Sequence, residues 1–302
     1  MTTVKLGSKG NDVKILQEKL NSLLNAGLVA DGAFGAKTET ALKTFQQIKK
    51  LTVDGVCGPK TWAALEEGLC ATNKPSTSQN PNDIIIEDHL LKSSEYLNGK
   101  YKIDYLVLHH TAGWDDPYKT IDIWNTDSQG RVGTEFVIGG QRSTDGRKDY
   151  DGKIVRAYPE GNMAYHIGSC GSDYMKTHSC GIEICNMGYV KNGKTYQNSL
   201  ILPEQTYILK TPFRGYNTWH KYSDKQLESL RKLILYIANR DNIDVHKGLY
   251  EWIKKEGQNG FEYHADAYNG KVTRGIITHA NIRKDKVDLH PQPELIDMIL
   301  SL

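Results

Sequence analysis

Residues 106–113 read LVLHHTAG, an apolar run rich in leucine that stops on two adjacent histidines. The run has the length and composition of a buried strand. Histidines at a strand end are ordinarily hydrogen-bonded structural residues, so His109 and His110 acquire chemistry only if the rest of the chain supplies partners. Around them lie further short apolar runs, TEFVIGG (134–140) and CGIEIC (180–185), and helical patterns at 120–126 and 224–240. The clearest amphipathic helix is SDKQLESLRKLILYIANR, with Ser223 placed to cap its N-terminus. Short strands mixed with helices predict an α/β domain with a central sheet, beginning near Ile84.

A hydrolytic zinc site takes about three protein ligands and leaves one position open, so His109 needs distant partners. The stretch ITHANIRKDKVDLHP offers His279 and, nine positions on, Asp288, with Lys286 two before it. Each alone is ordinary; a strand-end histidine, a second histidine and K-x-D together are not. The strand SCGIEICNMG adds a carboxylate. Alternation puts Glu183 and Cys185 on one face and Ile182 and Ile184 on the other. An unpaired buried carboxylate is costly, so Glu183 faces a cleft, a cation or a metal, or else forms a structural ion pair.

The N-terminal part is organised differently. DGAFGAKTETAL (31–42) and DGVCGPKTWAAL (54–65) are an internal repeat: an Asp-Gly turn, a second Gly, a Thr, then a helical pattern. Phe34 and Cys57 share a slot, which makes Cys57 a small buried apolar residue. Val13, Leu16, Leu20 and Leu23 recur at helical spacing before the first copy, and Ala41, Leu42, Phe45 and Ile48 after it. A small helical bundle is expected. CATNKPSTSQNPND (70–83) then has little to bury and reads as a linker.

Composition excludes more than it selects. Lys plus Arg is 38 against Asp plus Glu 36, so no basic surplus points to nucleic acid or an anionic membrane. No stretch approaches a membrane span, and the polar start MTTVKLGSKGNDVKILQ does not read as a signal peptide, so synthesis in the cytoplasm is expected. The five cysteines contain no CxxC pair, which argues against a Cys-only zinc site. Cys170 and Cys180 flank a short loop and either pair in an oxidising setting or remain free thiols. Nothing suggests a coiled coil or an apolar stripe, so a monomer is the default.

Two resemblances follow from these motifs. G-x-x-G-x-x-V-x-x-LQ-x-x-L, DG-x-FG-x-x-T-x-x-A-x-x-x-FQ and DG-x-x-G-x-x-TW, over roughly residues 4–68, resemble the peptidoglycan-binding domain 1 family. That resemblance implies a small all-α three-helix module that targets cell wall. LVLHHTA, GTEFVIGG, MAYHIG, CGIEIC and THANIRKDKVD, over roughly residues 100–295, resemble the zinc-dependent type 2 N-acetylmuramoyl-L-alanine amidases, a family that includes the peptidoglycan recognition proteins. It implies zinc on His109, His279 and Asp288, catalysis by Glu183 and Lys286, and a substrate groove touched by His166, Thr134 and Glu135. His110 is then supporting or structural.

The expected architecture is therefore two domains: residues 1–69 binding peptidoglycan, a linker over 70–84, and an amidase domain over 85–302 with a central mixed sheet flanked by helices. The sequence departs from the amidase pattern in three ways. Asp288 is followed by Leu289, His290 and Pro291 instead of Pro-Gly, which makes His290 a rival ligand. Thr134 and Glu135 stand where many members carry Tyr or Ala before His or Ser, which moves the base role to Glu183 with Glu135 as an outside alternative. Residues 187–222 and 246–273 are longer than a minimal member needs, either shaping the groove or a partner surface or forming plain surface loops. A non-catalytic peptidoglycan receptor and an amidase acting on soluble muropeptides are the alternative functions. The expected site of action is the bacterial cell wall, as an endolysin or an autolysin.

Overall fold

A computed structural model describes residues 2–24, 26, 28–49, 51–70, 84–128, 130–168, 172–272 and 274–302. The chain divides into two compact units, Met1–Gln79 and Asn80–Leu302. The linker expected over 70–84 lies almost wholly outside the described residues.

The first unit contains helices α1 (Asn11–Leu24), α2 (Ala36–Ile48) and α3 (Pro59–Cys70). Its core is Val4, Val13, Leu16, Leu20, Phe34, Leu42, Phe45, Cys57, Trp62 and Leu65. Cys57 is buried, and that burial pushes its thiol up to about 12, so it acts as an apolar residue. The sequence repeat is also a hydrogen-bond repeat. The Gln17 amide donates to the Asp31 carboxylate and the Ala33 carbonyl, both at 3.0 Å, and accepts from the Gly32 N–H at 2.9 Å. Gln46 makes the same set with Asp54 (2.8 Å), Val56 (3.0 Å) and Gly55 (2.9 Å). Gly32 and Gly55 sit at φ +74 and +73, a conformation that the Asp-Gly turn requires and side chains resist.

The described residues of the second unit form ten strands: β1 (Ile86–Asp88), β2 (Tyr105–His110), β3 (Phe136–Ile138), β4 (Ile154–Arg156), β5 (Ser179–Ile184), β6 (Val190–Lys191), β7 (Lys194–Thr195), β8 (Thr206–Phe213), β9 (Tyr216–His220) and β10 (Ile276–Thr278). Six of them form a mixed sheet in the order β1-β4-β3-β5-β2-β10, in which only β3 and β4 run antiparallel. Its helices are α4 (Pro117–Trp124), α5 (Asp173–Thr177), α6 (Asp224–Asp241), α7 (Leu249–Glu256), α8 (Ala265–Tyr268), α9 (His279–Ile282) and α10 (Pro293–Leu300).

The central strands are buried on both faces, which is why they read as apolar runs. On one face Leu106, Leu108, Phe136, Ile138, Ile182 and Ile184 pack with Leu230, Leu233, Ile234 and Ile237 of α6 and with α10. On the other, Val137, Val155 and Cys185 pack with Ile121 of α4, and Val107 and Ile277 with Met175 and Ile282. Helix α6 begins as its sequence implies. The Ser223 hydroxyl accepts from the Gln226 N–H, the Gln226 side chain returns to the Ser223 N–H, and Asn242 closes the other end at φ +54. The long segments carry structure of their own, hairpins β6–β7 and β8–β9 in 187–222 and helices α7 and α8 in 246–273.

Candidate active site

Register assembles the site. Strands β10, β2, β5 and β3 are parallel neighbours, and the pairing of Leu108 with Thr278 and of His109 with Glu183 and then Val137 aligns their C-terminal ends. His279, one residue past β10, therefore stands beside His109, and Glu183 lies on its other side. Open α/β sheets collect their ligands at these strand ends. A cavity of about 510 Å3 opens there, lined among others by His109, His166, Glu183, His279, Lys286 and Asp288.

Three of these side chains converge. His109 Nδ1 is 3.1 Å from His279 Nδ1 and 3.2 Å from Asp288 Oδ2, and His279 Nδ1 is 3.1 Å from the same oxygen. Two imidazole nitrogens and a carboxylate oxygen thus form a nearly equilateral triangle. A tetrahedral zinc with bonds of about 2.0 Å sets its ligand atoms about 3.3 Å apart, so both the donor types and their spacing fit such an ion. Burial would raise the Asp288 carboxyl, but His279 and the hydrogen bonds from both histidines outweigh it and hold that carboxyl well below its usual range. Burial lowers His109 to about 4, which keeps it neutral and able to ligate.

The second nitrogen of His109 is also engaged. Its Nε2 lies 3.0 Å from His166 Nδ1, and His166 Nε2 lies 3.0 Å from Ser179 Oγ. Were His109 Nδ1 to give its lone pair to an ion in the triangle, its proton would sit on Nε2 and donate to His166, whose own proton would go to Ser179. Such a relay fixes the tautomer and ring orientation of His109. His166 was expected as a groove residue; its link through Ser179 carries no sequence signal beyond the histidine itself.

Glu183 sits half-buried in the cavity lining and forms no ion pair among the described residues, so the structural ion-pair alternative is not the one realised. Burial raises its carboxyl well above the usual value, the charge of Asp288 adds to this, and Lys286 opposes it. A carboxyl raised in this way holds a proton more readily than a free one and is suited to take a proton and give it back.

Thr134, Glu135 and His290 do not join this group. Glu135 is buried and bound by Arg240 of α6 on the opposite face of the sheet, with Arg240 Nη2 at 2.9 Å, and it accepts the Cys180 thiol at 3.1 Å. Phe136 faces the same guanidinium, so consecutive side chains share one face and the alternation is broken just before β3. The Thr134 hydroxyl, which donates to the Phe136 carbonyl at 2.9 Å, accompanies that break. Neither residue lines the cavity. The His290 ring is stacked between Trp219 (4.7 Å) and Tyr222 (4.3 Å), fully buried and apart from the triangle. His110 supports this second aromatic group, its Nδ1 lying 2.9 Å from the Tyr222 hydroxyl. Cys180 is a free buried thiol, and its suggested partner Cys170 lies outside the described residues.

Comparison with known proteins agrees with the motifs. Residues 99–291 match the family model described as N-acetylmuramoyl-L-alanine amidase, and residues 9–65 match a peptidoglycan binding domain. The chain is similar to N-acetylmuramoyl-L-alanine amidase CwlM of Mycobacterium tuberculosis, 36% identical over 92 residues, which are 30% of this chain and 21% of the relative. It is similar also to an autolytic lysozyme of Clostridium acetobutylicum, 47% identical over 62 residues, 20% of this chain and 19% of the relative. The chain thus spans about a fifth of the length of both curated relatives. Among solved structures, the N-acetylmuramoyl-L-alanine amidase LysC from Clostridium intestinale aligns over 72% of this chain and 98% of its own, at 17% identity and a TM-score of 0.40.

Proposed function

The chain belongs to the N-acetylmuramoyl-L-alanine amidase family, and we propose that it is a zinc-dependent hydrolase of the amide joining N-acetylmuramic acid to L-alanine in peptidoglycan. The observation that carries this reading is the convergence of His109, His279 and Asp288 in one cavity with Glu183 and Lys286. His109 and His279 through Nδ1 and Asp288 through its carboxylate would hold the ion. Bound there, zinc supplies Lewis-acid polarisation of the amide carbonyl and acidifies water near neutral pH.

The protein's own groups do the rest. Glu183 takes a proton from the attacking water as the water oxygen bonds to the carbonyl carbon. It then delivers a proton to the departing L-alanine nitrogen as the C–N bond breaks. Lys286 donates to the oxyanion that forms between these events, where one well-placed donor is typically worth about 3 kcal/mol. His166 and Ser179 hold the His109 ring in register throughout.

Residues 1–69 form the wall-binding part in this reading, with α1, α2 and α3 as a three-helix bundle, 70–84 the linker and 85–302 the catalytic part. The two compact units and the two family matches support that division. A monomer acting at the bacterial cell wall, released or exported to it, completes the assignment; no helix among the described residues is long and apolar enough to cross a membrane. The test is mass spectrometry of products released from purified sacculi by the native protein, after chelation, and after zinc is restored. New L-alanine amino termini on intact glycan, lost and regained with zinc, are expected. Binding without cleavage in all three conditions would replace this reading with that of a receptor.

A further inference from the structure

The cavity has walls of unlike chemistry. The segment that follows α9 contributes Asp285, Lys286 and Asp288, whereas the long segment after β5 contributes Gly188, Tyr189 and Tyr196 and no charged group. Tyr196 is 63% exposed, although it belongs to a well-anchored structure. Its ring meets Tyr189 edge-on at 6.1 Å, Tyr189 stacks on Tyr216 at 3.8 Å, and both of these lean edge-on against the fully buried Trp219. The hairpin β6–β7 closes through Asn192 and Gly193, both at positive φ, as a tight two-residue turn demands. The next residue after Tyr196 ties the segment to the site: Gln197 Nε2 donates to the carbonyl of Ala112, two residues past β2, at 3.2 Å. A chain of packed rings and one backbone tether therefore fix an exposed aromatic face at the rim of the cavity.

We propose that Tyr196 is a sugar-stacking residue, and that the 188–196 wall receives the glycan strand of the substrate while the 285–288 wall faces the stem peptide. This rests on the amidase reading above. The two sides of the scissile amide differ chemically: the acyl side carries pyranose rings with apolar C–H faces and no charge beside the bond, and the amine side carries a peptide with carboxylates. An uncharged aromatic face held rigid suits the first, and costs little conformational entropy when it binds. Acidic and basic groups suit the second.

The test compares the full-length wild type with Tyr196→Ala and Tyr196→Phe on soluble muropeptides of one or four sugars carrying stems of two or five residues. On the four-sugar substrates Tyr196→Ala should raise KM about five- to tenfold, the size of one lost ring contact, with kcat held within about twofold. Tyr196→Phe, which keeps the ring, should keep the wild-type KM, and the Tyr196→Ala penalty should be the same for both stems. An unchanged KM at both glycan lengths overturns the proposal, as does a penalty that follows stem length. Wild type that cleaves none of these substrates overturns the amidase reading itself, a failure separable from a variant-to-wild-type ratio near one.

Discussion

Glu135 and Glu183 lie on neighbouring segments of one sheet, and removing the charge from each should give opposite results. Glu135 is 2% exposed and sits in a bidentate pair with Arg240, whose side chain is itself 10% exposed. Glu135→Gln leaves a buried guanidinium short of one counter-charge, which costs about 3 kcal/mol, the lower end of the range because Asp241 keeps its 2.7 Å contact to Arg240. For a unit of this size that is a fall of about 6–12 °C in Tm. Per folded molecule, kcat should not change, because Glu135 does not line the cavity. Glu183 has no such partner among the described residues, and burial, then Asp288, raise its carboxyl. A carboxyl raised in the folded state contributes its stability at low pH and loses it as pH rises through the folded value. Glu183→Gln does not titrate, so in zinc-free protein its Tm relative to wild type should increase with pH. Its kcat should fall about 10²- to 10⁴-fold, the range of a lost general base. Melting curves across pH with zinc removed, and turnover of soluble muropeptides with zinc present, read both effects. Loss of turnover in fully folded Glu135→Gln, or wild-type turnover in Glu183→Gln, would overturn these two roles.

Zinc at about 100 times its Kd should stabilise the protein by about 2.7 kcal/mol, a rise of about 5–10 °C in Tm, and Asp288→Ala should remove that rise. In the absence of metal, burial sets His109 and His110 at about 4 and His220 at about 3. Neutral histidines of this kind contribute stability that is complete above about 6.5 and is lost as pH falls toward those values, so Tm should drop steeply between about pH 6.5 and 4. Removing residues 1–75 should cut product release from intact sacculi by about tenfold or more while leaving soluble muropeptides nearly unaffected, because tethering raises only the local concentration of a polymer. Equal losses on both substrates would make the first unit a structural element.

What the sequence conveys and what it conceals follow from the range over which each physical rule acts. The strands around His109 and Glu183 are legible because burial on both faces leaves unbroken apolar runs, and alternation alone puts Glu183 opposite Ile182 and Ile184. Helix α6 is legible from its Ser223 cap and its period. In the first unit Gln17 and Gln46 recur because each closes an Asp-Gly turn with identical hydrogen bonds, a local constraint that leaves a local trace. The meeting of His109 with residues 170 and 179 positions away is another matter. No local rule brings them together; parallel register across β10, β2 and β5 does, and only the motif resemblance foretold it. Glu135 shows the converse. Period two would set it on the face of Val137, toward the cavity, yet it faces Arg240, 105 positions away, because the chain breaks step before β3. A buried carboxylate takes its nature from whatever cation meets it, and that cation lies on a helix whose own pattern names no partner. His290 is placed apart for the same reason: the aromatic rings of Trp219 and Tyr222, on a distant hairpin and the residues that follow it, stack on both its faces and hold it in a separate buried group, away from the triangle that Asp288 completes.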